Sequence, residues 1–260
     1  MTAARLLPSV LVVAGHGADG ATMARVTVAA VILFARPEGA LADAAGRSAA
    51  RRVVEGAWAG GATPCVVVSF DPFGQVAATL AGSPAVLAEP APIPSGPVGQ
   101  IVRGIRVAAQ QVTETDAAIV WPGRMAWVDA ETVTTLIEAH GAQRDAILRP
   151  RYGDQPGWPT LVPLKLLPAL EALGADRMPD GLIDDLEAGG AALVLIDTGD
   201  PGVTHDISTS IDALPPYQGP PEPVGGHAPE WGSAAADMPD DSPLEGPALA
   251  PYSQAAEEGE

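Results

Sequence analysis

Two charged residues of this 260-residue chain, Arg124 and Asp206, stand where a ligand or a metal ion could be bound. Arg124 follows the apolar segment 116–121 and a strand-breaking Pro-Gly pair, and strand ends line the ligand crevice of open α/β sheets. Two roles fit its guanidinium: contact with a phosphate, or an ion pair with Asp206. Asp206 in turn fits a ligand of Mg²⁺ or the N-cap of a helix over 208–214. We expect the two side chains to lie within ion-pair reach.

The other residues with metal-binding or redox chemistry give no support for a metal cluster. His16 and His205 have no second His or Cys at the spacing of a metal site. Cys65 is the single cysteine, which excludes an intrachain disulfide and a cysteine metal cluster. Because it stands in the apolar run 65–68, we expect a buried thiol.

The charge balance excludes one large class of partners. The chain has 32 acidic residues against 14 basic ones, which gives a net charge of −18. Such a charge repels polyphosphate backbones, so we expect no binding to nucleic acid. A single one of the basic residues is a lysine, Lys165, and the rest are arginines.

Short apolar runs alternate with segments of helical periodicity over most of the chain. Runs of this length predict strands buried on both faces, and their alternation with helices predicts right-handed crossovers. We therefore expect an α/β fold, a three-layer α/β/α Rossmann-like arrangement with a mostly parallel sheet. In the first long helix we expect Val53, Val54 and Trp58 on the buried side. Asp129 fits the N-cap of the helix that ends at about His140. The predicted strands are 26–35, 64–70, 85–87, 116–121, 146–151, 159–162 and 191–197, and the predicted helices are 45–59, 73–80, 98–112, 129–140, 164–173 and 182–188.

The two ends of the chain differ from this central part. Residues 1–22 form an N-terminal extension before the regular pattern begins, with Met23 as an alternative native start, and the domain covers 23–214. From residue 215 to 260 the chain has nine acids and no Lys or Arg, with many Pro and Gly, which predicts a disordered tail that solubilises the protein or binds a partner. The longest apolar run has ten residues. A membrane-spanning helix needs about 20, so we expect no membrane contact and a cytoplasmic location.

Four segments, in order along the chain, carry a resemblance to a known family: Gly99–Gly104, Ala118–Asp129, Arg149–Leu161 and Asp206–Asp212. The first resembles a helix start of the form Ser-Leu-Arg-x-Gly, and the second a strand followed by Gly-Asp-Met-Pro-Leu-Val-Asp. The third resembles a Gly-His-Pro loop, and the fourth resembles Asp-Ile-Asp-Thr-Pro-Glu-Asp. Together they are similar to the MobA-like nucleotidyltransferases. The resemblance implies a sheet of the nucleotide-diphospho-sugar transferase type and a reaction of CTP or GTP with molybdopterin cofactor, which releases pyrophosphate with the help of Mg²⁺.

The resemblance also implies which residues form the site. Arg124 and Asp206 take the catalytic positions, and Asp206, together with Asp129, takes the position of an Mg²⁺ ligand. The residues implied for nucleotide binding are Ala35, Arg36, Gly39 and Arg47, and those implied for substrate binding are Gly99, Gln100, Arg103, Gly157, Trp158 and Pro159. The implied partners are a molybdopterin-type small molecule and a molybdoenzyme.

Several departures from the family pattern weaken the implied chemistry. No Gly-rich phosphate loop with a following Lys comes after the first strand, and Pro37 lacks an N–H donor there. Arg124 stands where the family has a metal-binding Asp, and its charge repels a metal ion. Trp158 replaces a His, and Ser208 replaces a carboxylate. The segment Ala44–Arg51, later in the chain, has a sequence similar to the missing phosphate loop. It is either the turn before a helix or a displaced phosphate loop.

Three hypotheses of function follow from these observations. The first is an active nucleotidyltransferase for molybdenum cofactor, which the resemblance supports. The second is a non-catalytic homologue that binds a cofactor precursor or assists the maturation of a molybdoenzyme and needs no cofactor of its own, which the departures support. The third is a nucleotide-sugar-type transferase, because the same fold class includes such enzymes.

Overall fold

The computed structural model describes residues 26–219 of the chain. The predicted N-terminal extension 1–22, with Met23 and His16, and all but the first five residues of the predicted tail therefore lie outside the described residues. Residues 215–219 are still fastened to the domain: the Tyr152 hydroxyl donates to the carbonyl of Pro216 at 3.0 Å, and the Gln218 N–H donates to the carbonyl of Gly199 at 2.7 Å. None of the helices in the described range is both long and apolar enough to span a membrane.

A mixed, mostly parallel sheet forms the centre of the domain, as the alternation of strands and helices predicted. Its strands follow the order β3-β2-β1-β4-β7-β5, and β6 and β8 both pair with β5. The pairs among β1 to β4 and the pair β5–β8 are parallel, whereas β7 lies antiparallel between β4 and β5. The strands are β1 Val28–Leu33, β2 Cys65–Val68, β3 Ala85–Ala88, β4 Ala117–Pro122, β5 Ile147–Tyr152, β6 Gln155–Pro156, β7 Thr160–Pro163 and β8 Leu193–Asp197.

Helices cover both faces of the sheet and complete three layers. On one face α4 packs on β1 and β2 beside α6 and α7, and on the other α2 packs on β1 and β2 beside α5. The helices are α1 Pro37–Leu41, α2 Ala49–Ala59, α3 Gln75–Leu80, α4 Gly96–Gln111, α5 Ala130–Ala142, α6 Leu167–Glu171 and α7 Pro179–Ala188, with short 3₁₀ turns at 93–95, 164–166, 201–203 and 211–213.

Some element boundaries differ from the sequence prediction. The helix α1 was not predicted, and α2 starts at Ala49 instead of residue 45, because Ala45 and Gly46 have positive φ angles of 58° and 81°. Trp58 was predicted on the buried side of α2, but it is 52% exposed. The helix predicted over 208–214 is a turn followed by a single 3₁₀ turn.

The core consists mainly of aliphatic side chains, with the fully buried Trp121 at its centre. Close packing of α4 on the sheet depends on Gly104, because a Cβ atom there would lie 2.2 Å from Cγ1 of Val31. Cys65 is buried as predicted, and burial raises the pKa of its thiol to about 12. Strands β1 and β4 are parallel and in register, so their carboxyl ends lie side by side at one edge of the domain.

Candidate functional site

The sheet changes its winding direction between β1 and β4. The chain proceeds from β1 to β2 on one side and returns to β4 on the other, and ligands bind at such a switch point, outside the carboxyl ends of the strands. Leu33 at the end of β1 lies opposite Pro122 at the end of β4. The loops that follow these two strands therefore flank the expected position of a ligand site.

The loop after β1 is short and contains no glycine. Three residues, Phe34 to Arg36, join β1 to α1. Phe34 is buried, and Ala35, Arg36 and the α1 residue Gly39 are exposed. The predicted nucleotide-binding residues at this position therefore belong to a tight connection and a one-turn helix.

The segment 44–51 forms a tight turn and the first residues of α2. Two of its N–H groups are bonded within the turn: that of Gly46 donates to Asp43 Oδ1 at 3.1 Å, and that of Ala44 donates to the Arg47 carbonyl at 2.7 Å. The Arg47 guanidinium forms an ion pair with Glu55 on the surface. The pKa of Glu55 is lowered, mainly by its hydrogen bond from Arg51. This segment is the turn before α2.

A pocket of about 240 Å³ opens beside the loop after β4. It brings together four of the predicted site residues from three distant parts of the chain: Arg124, Gly157, Trp158 and Asp206. The other lining residues, to which the sequence analysis assigned no role in the site, are Met125, Arg149, Gln155, Pro156, Asp180, Val203 and Thr204.

The predicted ion pair between Arg124 and Asp206 is present at the mouth of this pocket. Arg124 Nε lies 3.6 Å from Asp206 Oδ2, and both side chains are partly exposed. The other oxygen, Asp206 Oδ1, accepts hydrogen bonds from the Ser208 hydroxyl at 2.6 Å and from the Ser208 N–H at 3.0 Å. The pKa of Asp206 is lowered, first by the Ser208 hydroxyl and further by the charge of Arg124. Asp206 thus caps a turn and remains ionised.

The two loops that carry this ion pair are fixed to each other by hydrogen bonds to main-chain carbonyls. Trp127 Nε1 donates to the carbonyls of Asp206 at 3.0 Å and Thr209 at 2.9 Å, and the Ile207 N–H donates to the Arg124 carbonyl at 2.9 Å. Gly202 packs against the Trp127 carbonyl, where a Cβ would approach the oxygen to 2.2 Å. These contacts hold the main chains of the two loops together, whereas the side chains of Arg124 and Asp206 stay partly exposed.

A buried carboxylate, Asp200, holds these loops to the start of α5. It accepts three hydrogen bonds at 2.8 Å, from the N–H of Asp129, the hydroxyl of Thr132 and the N–H of Gly202. Burial raises the pKa of Asp200, although the three donors oppose this effect. The carboxylate of Asp129 caps α5 as the sequence predicted, accepting the Glu131 N–H at 2.9 Å, and this is its role in place of the metal position that the resemblance implied. The sequence signal for Asp200 was its position before Pro201-Gly202, which is typical of a capped turn.

Arg149, Trp158 and Asp180 are bonded to one another and form one wall of the pocket. Asp180 Oδ1 accepts hydrogen bonds from Arg149 Nη2 at 2.7 Å and from Trp158 Nε1 at 3.1 Å. Arg149 Nε also donates to the Gly157 carbonyl at 2.9 Å, and its guanidinium lies 5.4 Å from the centre of the Trp158 ring. Gly157 is required here, since a Cβ would lie 2.2 Å from the Val203 carbonyl oxygen. Pro159 is buried behind this wall.

The other predicted substrate-binding residues lie on α4 and do not line the pocket. The Gln100 side chain pairs with both main-chain groups of Ala91, at 2.7 and 3.0 Å, and Arg103 Nε donates to the Glu89 carbonyl at 3.3 Å. Gly99 packs closely against Ser95. These three residues brace the Pro-rich loop that follows β3.

The described residues form no complete protein cage for the Mg²⁺ ion that the family resemblance implies, and the Arg124 guanidinium lies beside Asp206, the carboxylate placed at the metal position. Within the described range no group of three or more His, Cys, Asp or Glu side chains could hold a metal ion. His205 is bonded within its own loop, with Nδ1 2.9 Å from the Pro201 carbonyl. Lys165 forms an ion pair with Asp145 just after the end of β7, and Pro163 at that end pairs with Ala117 at the start of β4. The single lysine is therefore at the sheet edge opposite to Arg124.

The sequence of the chain matches a known protein family. Residues 36–189 match the sequence model of a family described as the MobA-like NTP transferase domain. No curated protein matches the chain.

Solved structures with the same fold have low sequence identity to this chain. The Rv0371c protein of Mycobacterium tuberculosis H37Rv is 18% identical, with a TM-score of 0.55 over 72% of this chain and 95% of that chain, and its manganese complex is also similar. A nucleotidyl transferase from Methanothermobacter is 18% identical, with a TM-score of 0.55 over 66% and 87% of the two chains. The 2-C-methyl-D-erythritol 4-phosphate cytidylyltransferase from Thermus thermophilus is 15% identical, with a TM-score of 0.53 over 72% and 95%. Identities this low show a common fold and nothing about substrates.

Proposed function

This chain belongs to the family of MobA-like NTP transferase domains, and from that premise we propose that it binds a molybdopterin-type small molecule without transferring a nucleotide to it. The nucleotidyltransferase-like domain would then serve as a binding module. A molybdoenzyme is the partner that would receive the bound cofactor precursor.

The ion pair between Arg124 and Asp206 carries this proposal. Nucleotidyl transfer needs the charge of a triphosphate to be neutralised by a divalent ion, and such an ion needs carboxylate ligands. The pocket has two carboxylates, and each is paired with an arginine: Asp206 with Arg124, and Asp180 with Arg149. A guanidinium 3.6 Å from the Asp206 carboxylate repels a divalent ion of the kind named for the Rv0371c complex.

The connection between β1 and α1 supports the same conclusion. A phosphate cradle needs several free N–H groups in a row, usually from glycines, at a helix N-terminus. The three residues Phe34 to Arg36 cannot provide such a loop, and Pro37 contributes no N–H group. The triphosphate of CTP or GTP therefore has no cradle at the switch point.

The pocket itself is suited to one end of a small anionic molecule. Its volume of about 240 Å³ lies below the range of about 300–1,000 Å³ typical of sites that enclose a whole drug-sized ligand. Its lining combines a cation, Arg124, with the exposed amide of Gln155 and the wall formed by Trp158. Molybdopterin is the proposed ligand because the pocket-lining residues Gly157, Trp158 and Asp206 lie in segments that carry the resemblance to the family.

The test is an assay of pyrophosphate release from the purified full-length protein with Mg²⁺, molybdopterin and each nucleoside triphosphate in turn. We expect no pyrophosphate, together with heat of binding for molybdopterin and none for CTP or GTP in calorimetric titrations. An active nucleotidyltransferase assayed in parallel shows that the reagents are competent. Release of pyrophosphate above the protein-free background would overturn the proposal and identify an active nucleotidyltransferase.

A further inference from the structure

We propose that the Arg124 guanidinium itself binds the phosphate group of the ligand as a built-in cation, so that phosphate binding in the pocket needs no divalent metal ion. The inference rests on the proposed function, because it assigns the anion-binding group of that same pocket. The chemical class of the ligand is a phosphomonoester, whose dianion would lie next to a fixed carboxylate.

Arg124 is loosely held by its neighbours. Its Nε is 3.6 Å from Asp206 Oδ2, which exceeds the hydrogen-bond range of about 2.7–3.2 Å, and its side chain is 55% exposed. None of the described residues accepts a hydrogen bond from its Nη atoms. These donors are arranged in a fork that matches a phosphate, so they are available to an incoming anion.

The guanidinium of Arg149, the other arginine of the pocket, is already bonded to protein groups. Arg149 donates to the Gly157 carbonyl and to Asp180, and its side chain is 10% exposed. Its hydrogen bonds would have to break before it could bind a ligand. Arg124 is therefore the group in the pocket that can bind an anion without disrupting the wall.

The main chain of Arg124 is fixed, so that its side chain alone has freedom to move. The Arg124 carbonyl accepts the Ile207 N–H at 2.9 Å, and the following residue, Met125, donates its N–H to the Pro122 carbonyl at 2.9 Å. The guanidinium can thus turn from Asp206 toward a phosphate while its Cα stays in place.

The effect of the Asp206 charge on phosphate affinity distinguishes binding by Arg124 from binding by a metal ion. The Asp206 carboxylate is fixed by Ser208, so it competes with the phosphate for Arg124. Removal of its charge should strengthen phosphate binding if Arg124 is the cation. Removal of the same charge should weaken phosphate binding if Asp206 holds a bridging metal ion.

The experiment is a calorimetric titration of the full-length protein with inorganic phosphate, once with EDTA and once with Mg²⁺. We expect equal affinity under both conditions, a loss of about tenfold in Arg124→Gln, and a gain of about threefold in Asp206→Asn. Arg124→Lys keeps the charge but lacks the forked arrangement of N–H donors. Its phosphate affinity should therefore lie between those of Arg124→Gln and the unaltered protein.

Arg106→Gln is the matched control, because Arg106 is similarly exposed and paired with Glu171 but does not line the pocket. It should leave the affinity unchanged. The inference is overturned by an absence of phosphate binding, by loss of binding in EDTA, by weaker binding in Asp206→Asn or by unchanged binding in Arg124→Gln. Pyrophosphate release tests the proposed function separately, since Arg124 can bind phosphate whether or not a nucleotide is transferred.

Discussion

The aromatic ring of Phe34 packs against the main chain of Gly123, at the point where β1 and β4 end side by side. The Gly123 N–H donates to the Leu33 carbonyl at 2.9 Å, and a Cβ at Gly123 would lie 2.2 Å from Cε1 of Phe34. Phe34 is 7% exposed, so its ring fills the space above the end of β4. An aromatic side chain thus occupies the edge of the sheet where a switch-point ligand would approach.

Gly123→Ala should destabilise the protein by about 1–3 kcal/mol, because the buried Phe34 ring would have to move. The free energy of unfolding in urea measures this effect. Gly141→Ala is the matched control, since no atom lies within 4 Å of its Cβ position in α5, and it should be neutral or slightly stabilising. The double variant with Phe34→Leu should recover part of the loss, and strictly additive effects would contradict the contact.

Asp200→Ala should destabilise the protein by about 3 kcal/mol, because it leaves the N–H groups of Asp129 and Gly202 and the Thr132 hydroxyl without their buried acceptor. Thr132→Val removes one of the three donors and should cost about 1 kcal/mol. Both values come from urea unfolding at neutral pH. Equal stability of Asp200→Ala and the unaltered protein would show that the carboxylate does not hold the loops.

The stability of the protein should fall in mild acid through His140. His140 is 1% exposed, and its burial lowers its pKa, with Arg144 acting in the same direction and the charges of Asp116 and Asp145 opposing it. A histidine with a lowered folded pKa contributes stability above its unfolded pKa of about 6.5, and this contribution is lost as the pH falls toward the folded pKa. The decline in unfolding free energy from about pH 8 to about pH 5 should therefore be smaller in His140→Leu. An identical slope in both proteins would rule out this source.

Arg124→Asp should create a weak site for a divalent ion, because it places a second carboxylate beside Asp206 and removes the repelling charge. Electron paramagnetic resonance of Mn²⁺ measures the bound fraction, and we expect binding in the variant and none in the unaltered protein. Arg124→Gln removes the charge without adding a ligand and is the control. Equal Mn²⁺ binding by both variants would show that the second carboxylate does not act as a ligand.

The sequence predicted the sheet because its strands are short, continuous apolar runs, and continuous runs mark strands buried on both faces. It also predicted that Arg124 and Asp206 meet, because their motifs occur in family order at strand ends. It could not predict the wall of the pocket, since Asp180 reaches Arg149 and Trp158 from a helix with no motif of its own. The prediction for Trp58 was wrong because helical periodicity identifies the apolar face of a helix but does not show how far along the helix that face is covered by other elements.

The three-residue connection between β1 and α1 limits what substitutions alone can change in this domain. Arg124→Asp changes the charge beside the pocket, because it exchanges one side chain on an unaltered main chain. No substitution of Phe34, Ala35 or Arg36 lengthens the connection. A glycine-rich phosphate loop would require inserted residues and displacement of the buried Phe34 ring, so the engineering of a nucleotide site at this strand end is limited by backbone length more than by side-chain chemistry.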